Sequence, residues 1–455
     1  MSTAQEPTWM EEPGTSSVET SNTLWQDPSH HKIKSDLEMK ETDPLEGDSA
    51  DQYPEGGIQA WLTVMGSSVV LFSSFGVVSS FGTFQTYFET YFLDNYSSSL
   101  ISMIGSLQLF LELFCGVFFG RVFDATGVKY LLPGGGFCIV LALLLLSVTE
   151  RNHIYQQFLC FGILLGVGVS MGFFAGLSVV TQWFHKRRSL VIGIVIAGSS
   201  AGGTVFPIIL KALFETVGFA WAVRTLAAIC FGCYLFAWLT VKTRLPPTEP
   251  MTLKNLVDFS AFKDMRFTLL SIAGFLVEFS LFNPFFYIEL HAIAVGISEH
   301  HAKYLLSIMN ASSLFGRVIP GIAADRYGRF NTLVPLTAMA AVLVLGLWLP
   351  ATGWPAFVTF AVLYGFFSGS FIGLAPSCIA QIVPQANMGA NLGANLAVTS
   401  FASLLGNPIA GAFLPSLDEK HFRHFIIFTG AFLMLGVLCL VATRIACTRQ
   451  LWVKV

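Results

Sequence analysis

The sequence predicts an all-α membrane protein in which twelve transmembrane helices form two pseudo-symmetric halves of six. Three observations point to this fold class. Only 12% of the 455 residues are charged and 54% are hydrophobic, whereas a soluble domain carries about 25% charged residues. Apolar stretches of about 20 residues, long enough to cross a bilayer, recur along the chain. Matching residues also recur at one fixed offset, which indicates an internal repeat.

Residues 1–54 are polar, rich in Pro, Ser, Thr, Glu and Asp, and contain no apolar run. This composition is typical of a disordered, solvated tail. The segment lacks the short apolar core after a basic start that marks a signal peptide. We therefore expect the first apolar segment to direct membrane insertion.

Twelve apolar segments follow the tail. They divide into a first half at 55–241 and a second half at 267–447, joined by a polar linker at 242–266 and followed by a C-terminal segment at 448–455. The spans are placed near 60–82, 100–119, 130–148, 154–180, 190–210, 219–241, 267–289, 303–323, 332–349, 355–377, 390–413 and 424–446.

Lysine and arginine predict the orientation, because cytoplasmic loops carry an excess of them. If the tail is cytoplasmic, the loops on its side hold most of these residues, including the run Lys186-Arg187-Arg188. Both termini are therefore predicted to be cytoplasmic, and we expect the plasma membrane rather than a vacuolar or other organelle membrane. The opposite loops hold only Arg151, Lys211, Lys303, Lys420 and Arg423.

Six pairs of residues share one offset of 201 positions. Because they fall in equivalent spans, the two halves are expected to be parallel repeats, the build of the major facilitator class. Small residues in spans four, five, ten and eleven are expected to allow close helix packing. The pairs are Gly120 and Gly321, Asp124 and Asp325, Gly127 and Gly328, Gly168 and Gly369, Gly172 and Gly373, and Pro207 and Pro408.

The two repeated turns are charged and are predicted to form a cytoplasmic gate. Ion pairs at such a corner can hold the cytoplasmic side shut while the site faces outward, because exposed pairs break and re-form at little cost. The predicted gate residues are Arg121, Asp124, Asp325, Arg326 and Arg329.

Charged side chains inside spans are expensive and point to function. Arg317 lies about two turns above the predicted cytoplasmic end of span eight. Contact with an anionic or polar substrate group is favoured for it, and snorkelling or a structural pair is the alternative. Glu278 in span seven and Glu112 in span two are candidates for proton coupling. A helix-packing hydrogen bond is the alternative for both and is favoured for Glu112.

Uncharged polar side chains in the second half complete the predicted substrate site. Asn391 and Asn395 are four residues apart and therefore share a helix face. Asn283 precedes Pro284, which is expected to break span seven, as a gating bend or as a fixed kink. The predicted set is Asn283, Tyr287, Asn310, Asn391 and Asn395.

Enzyme signatures are absent from the sequence, which has no G-x-x-x-x-G-K-[ST], G-x-S-x-G or H-E-x-x-H motif. No cofactor or metal site is predicted, and His300 and His301 are expected to be solvated. Cys230-x-x-Cys233 lies in the middle of an apolar segment and is interpreted as two small apolar residues. The expected partners are a small-molecule substrate and the lipid bilayer, without nucleic acid, and the protein is expected to act as a monomer.

Two motifs resemble those of monocarboxylate-porter-type facilitators. The first is Glu55-Gly56-Gly57 followed by Trp61, just before span one. The second begins Trp183-Phe184-x-Lys186-Arg187-Arg188 and continues into span five, and the run at 315–331 is similar to the fungal branch in particular. The resemblance covers about 55–447. It implies alternating-access transport, often coupled to protons, and a substrate carboxylate at Arg317.

Two departures from the family pattern bear on the cargo. The acid that many animal members carry one turn before this arginine would fall at Ser313, and their span-one lysine near Ser79 or Ser80. Lactate-like proton symport is therefore not assumed, and the fungal branch is implied to move vitamins such as riboflavin or secondary metabolites.

The sequence thus predicts a secondary active transporter of a small organic solute, either an organic anion, a vitamin or a secondary metabolite. Proton coupling and the direction of transport stay open. A membrane sensor or receptor built on a transporter fold is the alternative.

Overall fold

The computed structural model describes residues 53–96, 98–246, 260–302, 304–384, 387–411 and 419–448. Residues 1–52 of the predicted tail, 247–259 of the predicted linker and the C-terminal residues from 449 on lie outside the described residues. Every regular element in the described part of the chain is a helix, as predicted.

The helices follow the predicted spans in order. In the first half the spans are Ile58–Ser79 with Phe81–Tyr87, Ser98–Phe114 with Gly116–Thr126, Val128–Leu146, Ile154–Gln157 with Phe158–Leu165 and Gly166–Val180, Arg188–Thr216, and Gly218–Thr240. In the second half they are Met265–Leu281 with Asn283–Ala294, Tyr304–Tyr327, Arg329–Leu343 with Val344–Trp348, Trp354–Ile382, Met388–Gly411, and Glu419–Cys447.

Eleven of the described helical segments are long and apolar enough to cross a membrane. The remaining predicted span, Met388–Gly411, has 24 residues, which is a sufficient length for crossing. It carries three asparagines, among them Asn391 and Asn395. It lies between spans two and seven and completes the twelve-helix bundle.

Large apolar side chains also cover the outside of the bundle. Phe137 and Ile208 are each 67% exposed, and Trp221 is 63% exposed. A soluble monomer rarely exposes apolar surface on this scale. Hydrocarbon is the solvent that suits such a surface.

The two repeated turns form the same corner in both halves. Gly127 has a φ of 64° and Gly328 a φ of 105°, a region that glycine adopts at the ends of helices. Their N–H groups donate to the carbonyls of Phe123 and Ala324. We call the end of the bundle that contains Gly127 and Gly328 the turn end.

Spans one and seven are both interrupted. Span seven breaks at Phe282, directly before Asn283-Pro284, so the predicted break is confirmed. Span one breaks at Ser80, where the hydroxyl donates to the carbonyl of Gly76 over 2.6 Å. The second break was not predicted, because no proline marks it.

The repeated glycine pairs of spans four and ten pack against different neighbours. Gly369 lies against Ser313 of span eight, whereas Gly168 lies against Ile139 of span three and Gly172 against Tyr234 of span six. Span four contains the π-helical segment Phe158–Leu165, which changes its helical phase. Equal spacing in the sequence therefore does not give equal packing.

Candidate functional site

Asp124 joins the two halves at the turn end. Its carboxylate accepts hydrogen bonds from the backbone N–H groups of Gly389 and Ala390, at 2.9 and 2.7 Å. Both groups lie in the first turn of span eleven, where N–H groups lack partners within the helix. A carboxylate at this position satisfies them and interacts favourably with the helix dipole.

Asp325 makes the equivalent contact in the opposite direction. Its two carboxylate oxygens accept from the N–H groups of Ser189 and Leu190, both at 2.9 Å. These residues begin span five of the first half. Each half therefore supplies an aspartate that caps a helix of the other half, and Arg121 and Arg329 also interact electrostatically with Asp124 and Asp325.

Arginines add further contacts between the halves. Arg329 donates to the Ser189 hydroxyl at 3.3 Å and to the His185 carbonyl at 3.2 Å. Arg121 lies 3.5 Å from the Asn387 side-chain oxygen. Arg326, in contrast, is exposed and lies over the ring of Tyr327.

Arg188 is a contact between the halves that the sequence did not reveal. It is buried, and its guanidinium donates to the Ala380 carbonyl of span ten at 2.7 Å. The Lys186-Arg187-Arg188 run indicated orientation and family resemblance. Nothing in its spacing distinguishes the one arginine that turns inward.

The backbones of the two halves touch beside these polar contacts. A β-carbon on Gly393 would overlap the carbonyl oxygen of Gly116, and one on Gly193 would overlap that of Arg317. Further along span two, Phe110 meets Phe401 of span eleven through their rings, with centroids 5.4 Å apart. The halves are therefore in backbone contact near the turn end, while side chains bridge them further away.

The two motifs that carry the family resemblance touch each other at the turn end. The Glu55 carboxylate accepts from the N–H groups of His185 and Lys186, at 2.7 and 2.6 Å. The Trp183 indole donates to the Lys242 carbonyl at 3.0 Å. The loop before span five, which also receives Arg329, is thus held by the segment before span one and by the start of the linker.

Arg317 reaches from span eight across to span five. Its Nη1 donates to the Ile196 carbonyl at 3.1 Å and to the Ser199 hydroxyl. Its Nε is buried and has no hydrogen-bond partner among the described residues. The side chain therefore lies at the contact between the halves and does not extend to the turn end.

Glu278 of span seven is the acidic group that acts on Arg317. The two interact electrostatically, but they form no direct ion pair in the part of the chain that the structure describes. Ser313, one turn before Arg317, is fully buried and lies against Gly369 of span ten. The acid that acts on this arginine therefore comes from span seven.

Glu112 lies alone within the first half. It is 1% exposed, and no charged group in the described part of the chain acts on it. Gln108, one turn away on span two, is fully buried, and neither of its amide atoms has a partner among the described residues. Glu112 and Arg317 therefore belong to separate environments.

The other polar residues predicted for the site face mainly other helices of their own half. Asn283 donates to Thr429 at 3.1 Å, and the Tyr287 ring lies 4.8 Å from that of Phe425. Both partners belong to span twelve. Asn395 donates to Ser271 of span seven at 2.9 Å.

Asn391 shares the helix face of Asn395 and is 5% exposed. Asn310 lies seven residues before Arg317, on the same face of span eight, and is half-buried. The structure thus brings Glu278 and Arg317 within electrostatic range of each other, with Asn310 two turns from Arg317 on span eight.

These features define a membrane transport protein of two repeated halves that meet at a capped, closed end. The family model of the Major Facilitator Superfamily matches residues 63–353 and 268–449. The chain belongs to the major facilitator superfamily.

Several fungal proteins are similar over most of this chain. "MFS-type transporter 1" of Ophiocordyceps sp. (strain BCC 1869) is 38% identical over 90% of each chain. "Aspyridones efflux protein apdF" of Emericella nidulans is 38% identical over 86% of this chain and 79% of its own. "Agnestins efflux protein AgnL12" of Paecilomyces divaricatus is 35% identical over 87% and 90%.

Solved structures show the same fold at much lower identity. A bacterial homologue of the iron transporter ferroportin, in an outward-facing state, superposes with a TM-score of 0.67 and is 14% identical, over 85% of this chain and 99% of its own.

Proposed function

We propose that the protein exports a small organic acid of the secondary-metabolite class by alternating access. The proposal rests on Arg317, whose guanidinium lies inside a span. Its Nε is buried and has no hydrogen-bond partner among the described residues. A guanidinium is suited to bind a carboxylate through paired hydrogen bonds. The printed names of two relatives, efflux proteins for aspyridones and agnestins, support export of such compounds.

Within this proposal, substrate contact belongs to Arg317 and to Asn310 on the same helix face. Asn283, Tyr287 and Asn395 are assigned to packing, because their contacts lie within the second half. Asn391 joins this group, since it shares the face of Asn395.

We assign the turn end as the cytoplasmic gate, which the lysine and arginine distribution supports. In this assignment the halves are held together on the cytoplasmic side. The gate consists of Asp124 and Asp325 with Arg121, Arg188 and Arg329. Arg326 is left out, because it is exposed.

Proton coupling, in this proposal, runs through Glu278. Arg317 can be balanced by an ionised Glu278 or by a bound anion, and a carboxyl group without water favours its neutral form. Proton binding to Glu278 would therefore free Arg317 for the substrate. Glu112, on which no charged group among the described residues acts, is the second candidate.

Replacing Glu278 with glutamine should make the transport rate independent of pH, since glutamine keeps the shape and cannot release a proton. The measurement is the initial rate of export from cells at a series of external pH values. Glu289→Gln, in the outer part of the same span, is the matched control and should keep the wild-type profile. A Glu278→Gln profile equal to that of the wild type would move the coupling to another residue, with Glu112→Gln as the next variant.

The proposed function is tested by an untargeted comparison of metabolites in cells and in medium, with and without the protein. We expect at least one organic acid to accumulate in the medium only when the protein is present. If every compound is distributed equally while the protein is found in the membrane, the proposal of export is wrong.

A further inference from the structure

The break in span seven leaves a backbone carbonyl in need of a partner. In an unbroken helix the carbonyl of Leu281 would accept from the N–H of Phe285. The chain turns at Phe282, and Pro284 follows in the first turn of the next helix. Backbone groups at such depth must find another partner, because the bilayer offers none.

Tyr364 of span ten supplies that partner. Its side chain is fully buried, and its hydroxyl donates to the Leu281 carbonyl at 2.8 Å. The next residue, Gly365, packs directly against the backbone of Met309 in span eight. Tyr364 therefore connects the break of span seven to the helix pair that carries Arg317.

Glu278 lies three residues before Leu281, on the same side of span seven. It also lies within electrostatic range of the Tyr364 side chain. A hydrogen bond that holds the Leu281 carbonyl in place therefore also holds the helical segment that carries Glu278.

We propose that Tyr364 is a positioning residue for transport: its hydroxyl holds the broken span seven in the bend that places Glu278 beside Arg317. The transport role rests on the proposed function, whereas the hydrogen bond from Tyr364 to Leu281 and its effect on span seven do not. Gly365 and Ser313 allow spans eight and ten to pack closely. The Tyr364 hydroxyl therefore projects from a rigid pair of helices. Movement of span seven during gating would require this hydrogen bond to open.

The test is hydrogen–deuterium exchange of the purified protein in lipid nanodiscs, without substrate. Tyr364→Phe removes only the hydroxyl and leaves the ring. We expect amide exchange in residues 282–288 to become about tenfold faster, the effect of losing one buried hydrogen bond. Tyr234→Phe is the matched control, since Tyr234 is also buried but its hydroxyl lies against Gly172 of span four. It should leave exchange at 282–288 unchanged.

A comparison in the Pro284→Ala variant distinguishes loss of the Tyr364 hydrogen bond from a general loosening of side-chain packing. Pro284→Ala supplies an N–H group that can donate to the Ser280 carbonyl and removes the proline ring, so span seven can continue as a helix in which the Phe285 N–H donates to the Leu281 carbonyl. In that background Tyr364→Phe should add no further exchange, because Leu281 regains a backbone partner. Wild-type exchange in Tyr364→Phe, or the same increment with and without Pro284, would overturn the proposal. Neither readout needs a cargo, so failure here is distinct from failure of the export assay.

Discussion

Replacing Arg317 with alanine should lower transport about 100-fold while the protein still reaches the membrane. The loss corresponds to about 3 kcal/mol, the value of a charge-assisted hydrogen bond to a carboxylate. Lysine at this position should restore little, because an ammonium cannot form the paired contacts of a guanidinium. The measurement is the initial export rate, divided by the amount of protein in the membrane.

Arg317 also contacts span five, so its structural role must be separated from substrate binding. Ser199→Ala removes the hydroxyl partner of Arg317 and keeps the charge. This variant should retain most of the activity. Arg224→Ala is a second control, since Arg224 pairs with Ser147 inside the first half at 3.1 Å. If Ser199→Ala were as inactive as Arg317→Ala, the arginine would serve the contact between the halves and not the substrate.

Replacing both Asp124 and Asp325 with alanine should open the turn end. Each aspartate caps a helix of the opposite half, and removing one cap costs about 2 kcal/mol when the loss of charge at the helix dipole is included. Because both caps exist only when the halves meet, the double variant should shift the equilibrium on the order of 1,000-fold toward the open form. Asparagine should be milder, since it still supplies one acceptor oxygen.

This opening can be measured as the distance between spin labels at positions 186 and 327. Both side chains are exposed and lie at the turn end on opposite halves. Asp264→Ala is the matched control, because Asp264 caps span seven within its own half by accepting from Arg266 at 2.8 Å. The Arg266 guanidinium also holds the pKa of Asp264 below its ordinary value, so the control removes a charged cap. Distances in the double variant that equal those of Asp264→Ala would contradict the capping account.

The sequence predicted the spans, the repeated corner and the broken span seven because each has a local cause. Long apolar runs, glycine at positions 127 and 328, and proline at 284 act on the residues next to them. Charge inside hydrocarbon is similarly visible, which is why the sequence singles out Arg317 and Glu278 as candidates.

The parts that sequence could not predict depend on helix phase and on contacts between distant segments. The sequence placed Asp124 beside arginines, but which backbone N–H groups it meets depends on how span eleven crosses span two. Span four contains a π-helical segment, and its Gly168 packs against span three, whereas Gly369 of span ten packs against span eight. Tyr364 looked like any apolar aromatic residue, because its partner is a carbonyl 83 positions away.

Transport by the purified protein is the most direct test of an anion transporter that binds its substrate at Arg317. Liposomes containing the wild type, Arg317→Ala or no protein are incubated with an extract of the cells from which the gene comes, and their contents are compared by mass spectrometry. We expect at least one anionic metabolite to enter the wild-type vesicles and to stay out of the other two. Equal contents in all three, with the protein correctly inserted, would contradict it.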